Sequence, residues 1–473
     1  MAREADARGR SSRTPQTCLS GLVVVGALAV GLPAREAAAG NRETNPLSNE
    51  AALAGGAVTA LGRDTGAIYY NPAGLGAVRR TQFNLSTQAG QFRARIVPYA
   101  AVADLPGGTR DAATLSSLQA LVMPSSLAVT RHLGRGVTVG VGYFAPDYDY
   151  YDYNTVLRGA GGTTEYDARV QVDGWIYRYH AGPAIGWQPH PRFRIGLTLF
   201  GTYGWQREET RVWIDTASGT PESRTDATRT YDYDSKRSVF GGEVVVGLQW
   251  EFVKNLHLGL TFRTPRFVAF EHSRSYELNT SNVDRPGGGD DEYKFDFDDS
   301  PEPSARGRVA PMRLTAGVAY ALPRRRGWIS GEMDYSPGLK LSARDINIRP
   351  LWNVRAGARL RTAERLYFGI GVFSDRDDEV HTHKFPHFRI NYYGVTTGVE
   401  FFSPVRLGKG ERARSIVFST CIAVRYSYGQ GSAAQIAFDL RDAPAGNVGY
   451  EIGTVNRVAF HLFAGHLGMG TYF

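Results

Sequence analysis

Between Trp175 and Trp187 every second residue is aromatic or apolar: Trp175, Tyr177, Tyr179, Ala181, Pro183, Ile185 and Trp187. Gly174, Arg178, His180, Gly182 and Gly186 occupy the intervening positions. A period of two sends these sets to opposite faces of a strand. The aromatics gather toward the ends of the apolar face, as interface girdles require, and a soluble sandwich strand is typically about half as long. The pattern then repeats. Phe83–Ala89, Leu127–Leu133 and Val137–Tyr143 precede it, and Phe193–Trp205, Phe240–Phe252 and Leu256–Phe270 follow. Met312–Leu322, Trp328–Tyr335, Trp352–Leu360, Leu366–Phe373, Phe388–Phe402, Ile416–Tyr428 and Ala459–Phe473 complete about fourteen strands. Even numbers are the rule for single-chain bacterial barrels.

The connections alternate in length. Short turns fall at Gly134–Gly136, Gln188–Arg192, Val253–Asn255, Pro323–Gly327 and Arg361–Arg365, with a longer one at Ser403–Arg414. Long connections separate them, at Ala145–Arg169, Arg207–Arg237, Glu271–Arg308 and Gln430–Asn456. Tight turns on one side of a membrane and long loops on the other produce this order. The expected fold is therefore all-β, a transmembrane antiparallel β-barrel.

The longest apolar run, Leu19–Leu32, is too short for a helical membrane span, which needs about 18 residues or more. Arg3, Arg8, Arg10 and Arg13 precede it and Ala37-Ala38-Ala39 follows it, the order of a secretory signal peptide over residues 1–39. Cys18 lies ahead of the apolar run, which excludes a lipoprotein signal. Cleavage after Ala39 leaves Cys421 as the one cysteine, so no internal disulfide forms. It also removes two of the formal charges, leaving about +6 of the total +8, spread through turns and loops. No basic run interleaved with aromatics points to nucleic acid.

Between the leader and the first strand lies Leu53–Leu75, LAGGAVTALGRDTGAIYYNPAGL. Ala54, Gly55, Gly56 and Ala57 allow close backbone packing, and Pro72 turns the chain by pushing Asn71 out of the helical region. The segment from Asp64 to Leu75, with Asp64, Asn71, Pro72, Ala73, Gly74 and Leu75 in order, resembles the N-terminal hatch of the FadL-type outer-membrane transporters of fatty acids and hydrocarbons. The resemblance implies an extension and hatch over 40–80 that plugs the lumen of a barrel over 81–473. It implies passive uptake of a hydrophobic molecule or fatty acid across the bacterial outer membrane, with lateral release through the wall. The implied partners are outer-membrane lipid, lipopolysaccharide and the barrel assembly machinery, whose signal the terminal Phe473 resembles. Residues 40–46 precede the hatch beyond the family pattern, and the external loops do not align. The alternative is a hatch-bearing barrel that acts in protein secretion or surface attachment. A general porin is disfavoured because a hatch would block a water channel.

No catalytic motif, cofactor site or resident metal is expected. His381, His383 and His387 read as solvated loop residues. Asp290, Asp291, Glu292, Asp296, Asp298 and Asp299 read as a solvated acidic loop, with Ca²⁺ as the alternative. Tyr148, Tyr150, Tyr151 and Tyr153, alternating with Asp147, Asp149 and Asp152, read either as an apolar collection surface or as an extension of the girdle. Arg178 and His180 are expected to face the lumen, as a polar network or as contacts for a fatty-acid carboxylate. Gly140 and Gly142 on strand three, near Pro183 on strand four, are expected to mark a lateral opening, because Pro183 cannot donate to a ladder.

Overall fold

The computed structural model describes residues 45–285, 292–298, 311–341, 346–377, 388–407 and 414–473. The leader assigned to 1–39, its continuation to residue 44, and His381, His383 and His387 lie outside them. Among the described residues eighteen strands follow the hatch: β1 (Gln82–Asp104), β2 (Arg110–Gly134), β3 (Val137–Gly161), β4 (Thr164–His190), β5 (Phe193–Ser218), β6 (Thr225–Val253), β7 (Leu256–Arg263), β8 (Phe267–Asp284) and β9 (Glu292–Asp298). The rest are β10 (Arg313–Ala321), β11 (Gly327–Ser336), β12 (Leu339–Leu341), β13 (Ile346–Ile348), β14 (Leu351–Ala363), β15 (Leu366–Asp375), β16 (Phe388–Leu407), β17 (Arg414–Asp439) and β18 (Gly449–Tyr472). Sixteen form one sheet, which closes where β5 pairs with β6. Since β8 and β9 branch from β6, fourteen strands make the ring, and β12 and β13 form a separate hairpin.

Period two fixes the wall. Outward positions such as Leu85, Leu197, Val246, Leu260, Ile422 and Phe463 are exposed apolar side chains, while the inward Arg93, His180, Glu243, Arg263, Glu332 and Glu400 are buried. An apolar exterior around a polar interior is the signature of a barrel in lipid.

Several strands outrun the sequence reading. The stretches taken as loops at Ala145–Arg169, Arg207–Arg237 and Gln430–Asn456 are mostly strand, and β3 turns into β4 at Gly161–Thr164. The reason is a reversal of polarity. In β4 above Trp175 the inward Tyr166, Ala168, Val170 and Val172 are buried, while Glu165, Asp167 and Arg169 face out. Water replaces lipid outside, so the strand keeps its period and exchanges the chemistry of its faces. Leu256–Phe270 is also not one strand. It breaks at Thr264-Pro265-Arg266, where Pro265 lacks a donor. Val244 N–H is there taken by Thr264 Oγ1 at 3.0 Å.

The four tyrosines divide by parity. Tyr148 and Tyr150 lie on the outer face of β3, beside Tyr177 and Trp175 at 4.6 and 3.9 Å between ring centroids. Tyr151 and Tyr153 are buried in an apolar core that fills the external half of the barrel together with Val97, Leu115, Ile436 and Phe438. All four are strand residues, not loop residues, and the two pairs lie on opposite faces of β3. Of the acidic stretch, Glu292, Asp296 and Asp298 belong to β9, and Asp290, Asp291 and Asp299 lie outside the described residues.

Candidate functional site: hatch, lumen and a slit in the wall

The segment from Asn45 to Val78 packs against inward-facing wall residues. Ser48 caps the short helix α1 (Asn49–Leu53) by accepting from Ala51 N–H. Asp64 then ties two hatch turns together, accepting from Gly66 N–H and Glu50 N–H, each at 3.0 Å. A second helix, α2 (Ala67–Tyr70), ends at Asn71. Asn71 is a junction, since its Oδ1 caps the 3-10 turn Pro72–Ala77 by accepting from Ala73 N–H. Its Nδ2 donates to Thr59 O of the hatch and to Leu248 O of β6, at 2.8 and 3.1 Å. Ala73, Gly74 and Leu75 follow within the turn, and all are buried.

The wall reciprocates with glycines. A Cβ on Gly186 would meet Gly76 N at 2.6 Å and Pro72 O at 2.7 Å, and one on Gly259 would meet Ala60 Cα at 2.6 Å. Gly196, Gly247, Gly357 and Gly371 likewise face hatch atoms too close for any side chain. Side chains around this ring hold the hatch backbone. Thr198 donates to Ile68 O at 2.8 Å, Arg263 to Tyr69 O at 2.7 Å, and Glu332 accepts from Thr59 N–H at 2.9 Å.

Arg178 and His180 point into the lumen, opposite outward Tyr177 and Tyr179. Arg178 lies 3.4 Å from Asp147, and His180 Nε2 lies 3.1 Å from Glu243, which Arg263 also engages. Both are committed to acids of the wall, so a ligand carboxylate would have to displace Asp147 or Glu243. Removing one member of a buried ionic set leaves its partner's charge uncompensated, at a cost of about 3–5 kcal/mol. Arg263→Ala is accordingly expected to lower the free energy of unfolding in urea by that much, while Arg263→Lys recovers part of it.

The expected opening at Gly140, Gly142 and Pro183 is not where the wall parts. The β3–β4 ladder runs without a break from Val137 opposite Trp187 to Phe144 opposite His180, with Val141 opposite Pro183. Pro183 costs pairing only toward β5, where Gly182 and Pro183 have no partners and the register is unchanged. The discontinuity lies between β2 and β3. These strands pair only from Ser126 opposite Phe144 down to the Gly134–Val137 turn. Above that level β2 keeps β1 and β3 keeps β4, and the two separate at a bulge between Phe144 and Asp147. Outward on β2 beside the slit, Leu118 and Val122 are 78% and 70% exposed, so the β2 flank of the slit is apolar.

Unpaired backbone in lipid is expensive, and the slit edge shows how it is avoided. Asn45, the first described residue of the hatch segment, donates from Nδ2 to Ala145 O at 3.0 Å and from its N–H to Pro146 O at 3.2 Å. Arg93 donates to Tyr148 O at 2.5 Å and Arg95 to Tyr150 O at 3.0 Å, while both engage Asp149. Thus the hatch seals the lower slit and two β1 arginines seal the upper. No sequence signal marked Arg93, Arg95 or Asn45, because their role depends on a missing strand pairing. Among the described residues, no group of three His, Cys, Asp or Glu side chains converges to hold a metal.

Higher still, β1 leaves the wall. The register slips between Val97 and Ala101, Tyr99 takes a φ of 54°, and Ala101–Asp104 then pair in parallel with Ile436–Asp439 of β17. The tip of the β1–β2 hairpin thereby contributes to the apolar core of the mouth.

No protein-family model and no curated protein matches the sequence. Solved structures do. The P. putida toluene transporter TodX aligns over 92% of this chain and 99% of its own, at 12% identity and a TM-score of 0.51. A TodX deltaS2S3 mutant, described as a monoaromatic hydrocarbon channel, aligns over 91% and 100% at 11% identity and 0.50. At such identities the likeness is one of fold, and over nearly its whole length this chain is folded as the TodX barrel is.

Proposed function

We propose that this barrel lies in the bacterial outer membrane as a FadL-type protein and passes small hydrophobic molecules inward without energy input, releasing them sideways into the bilayer. One observation carries the reading: a closed, hatch-filled barrel is interrupted by an apolar-flanked slit whose edge is sealed with side chains and the start of the hatch. A water-filled pore offers nothing to an apolar solute. An apolar mouth and a lateral exit keep it out of water, worth about 0.8 kcal/mol for each buried CH₂. The apolar core beneath the mouth supplies such an entrance, and the toluene transporter that shares the fold is a precedent for the cargo class. The terminal Phe473, whose N–H bonds Thr81 O at 2.9 Å where the first and last strands meet, is read as the signal for the assembly machinery.

Uptake of a radiolabelled long-chain fatty acid and of toluene, by cells lacking their own such channels, tests this reading. Expression of the protein is expected to accelerate at least one of them several-fold, and which one responds identifies the cargo. Equal rates with and without the protein for both compounds would sink the proposal.

A further inference from the structure

Above the lipid band, the outer wall carries an order that transport does not use. The register sets outward residues of neighbouring strands opposite one another, in rows that run across the strands. Tyr179, Tyr203, Phe240 and Phe270 stand opposite one another across β4, β5, β6 and β8. The Tyr179 and Tyr203 rings stack at 6.3 Å, and Tyr203 meets Phe240 at 4.6 Å. This aromatic row is the girdle where the wall leaves hydrocarbon. Four residues higher in every strand, about 14 Å along it, the chemistry changes. Trp175 is opposite Arg207, Arg207 opposite Lys236, and Lys236 opposite Arg274. By parity these cations share the face of lipid-exposed Leu199, Phe240 and Phe270.

Three cations abreast strain a sheet, because like charges directly opposite are destabilising. Two are steadied from the row above, with Arg207 2.9 Å from Glu209 and Lys236 3.3 Å from Asp234. Each such contact uses one donor of several on the side chain. Arg274 is exposed and pairs with no acid among the described residues. The upper row is itself acidic, since Asp152, Asp173, Glu209 and Asp234 face one another across β3 to β6. Burial first, and the Asp152 charge after it, hold the Asp173 carboxyl above its ordinary value. An anion is therefore welcome only in a narrow belt, above the aromatic girdle and below the acids. That belt is the headgroup layer.

We propose that Arg207, Lys236 and Arg274 bind the phosphate of a lipopolysaccharide-type lipid whose acyl chains lie along Phe240, Phe267 and Phe270 below. Guanidinium groups match phosphate oxygens in bidentate fashion, and an ammonium adds a point charge. The exposed phenylalanines beneath supply the apolar half that a free anion would not use. The site rests on the outer-membrane placement proposed above, and it is independent of what passes through the lumen.

The test uses the full-length barrel, purified in detergent, with bis-phosphorylated lipid A as probe and retention read by native mass spectrometry. The triple variant R207Q/K236Q/R274Q is expected to bind at least tenfold more weakly than wild type. R158Q/R169Q, which removes exposed cations nearer the tip of the β3–β4 hairpin, should bind like wild type. Dephosphorylated lipid A should bind wild type and triple variant equally weakly. The proposal is overturned if the triple variant retains lipid A fully, if the dephosphorylated lipid binds wild type as tightly, or if inorganic phosphate alone competes as well as the lipid. Should the triple variant fail to fold, K236Q alone is expected to lose about threefold, and no loss overturns the site. Cell fractionation and hydrophobe uptake by the same variants stand apart. No uptake by wild type with lipid A binding intact would count against the transport reading and leave this one standing.

Discussion

A barrel carrying Gly196→Val and Gly247→Val is expected to lose its plug and conduct. Both glycines lie on the inward face, where the hatch backbone at Asn71–Ala73 approaches too closely for any β-carbon. Valine at 196 would drive into the Pro72–Ala73 main chain, and valine at 247 into the Asn71 amide, which cannot shift without releasing Thr59 and Leu248. Overpacking of this kind costs about 1–3 kcal/mol per site, and the lost hydrogen bonds add about 0.5–1.5 kcal/mol each. The strands themselves are not strained once the hatch has moved, so the wall should survive. Planar-bilayer recordings should show open steps that wild type lacks, and cells should become sensitive to a bulky polar antibiotic. A pair of variants as tight as wild type would mean that the hatch does not close the lumen.

The second large effect is expected at the mouth. Val102 and Ala437 are paired across the parallel contact between β1 and β17, on the face opposite the buried Ala101, Ala103, Ile436 and Phe438. A disulfide between Val102→Cys and Ala437→Cys would hold the hairpin tip against β17 without touching the apolar core. If hydrophobic cargo enters by parting that contact, uptake should fall at least tenfold under oxidising conditions and recover with a reductant. Either single cysteine should transport normally, and native Cys421 is buried and out of reach. Full uptake with the bridge formed would show that cargo enters by another route.

Much of this architecture was legible in the residues. Trp175–Trp187 announced both strand and facing, because in lipid one face must be apolar and every second residue reports it. The hatch was visible through Asn71-Pro72 and its glycines, since a plug packed on backbone must be small. What was hidden shared one cause. Above the membrane the parity of β4 continues through Tyr166, Ala168, Val170 and Val172, but with the apolar set inside, so it no longer resembled a lipid-facing strand. The break in the wall was misplaced for a related reason. Pro183 advertised a missing donor, yet the missing donor affects only the β5 side. The real slit sits beside Ala145-Pro146, where Arg93 and Arg95, distant in sequence, replace the absent strand.

The seam of the ring sets the order in which such a chain can become stable. Gln82 pairs with Tyr472, so roughly 390 residues must be gathered before the first and last strands meet, a closure entropy of about 5 kcal/mol by the (3/2)RT ln n rule. That cost grows only logarithmically, so lengthening an external turn would add little to it. Losing β18 is a different matter. The edges of β1 and β17 would then stand bare in hydrocarbon, each unpaired group costing several kcal/mol, and no partial ring offers the chain a place to rest.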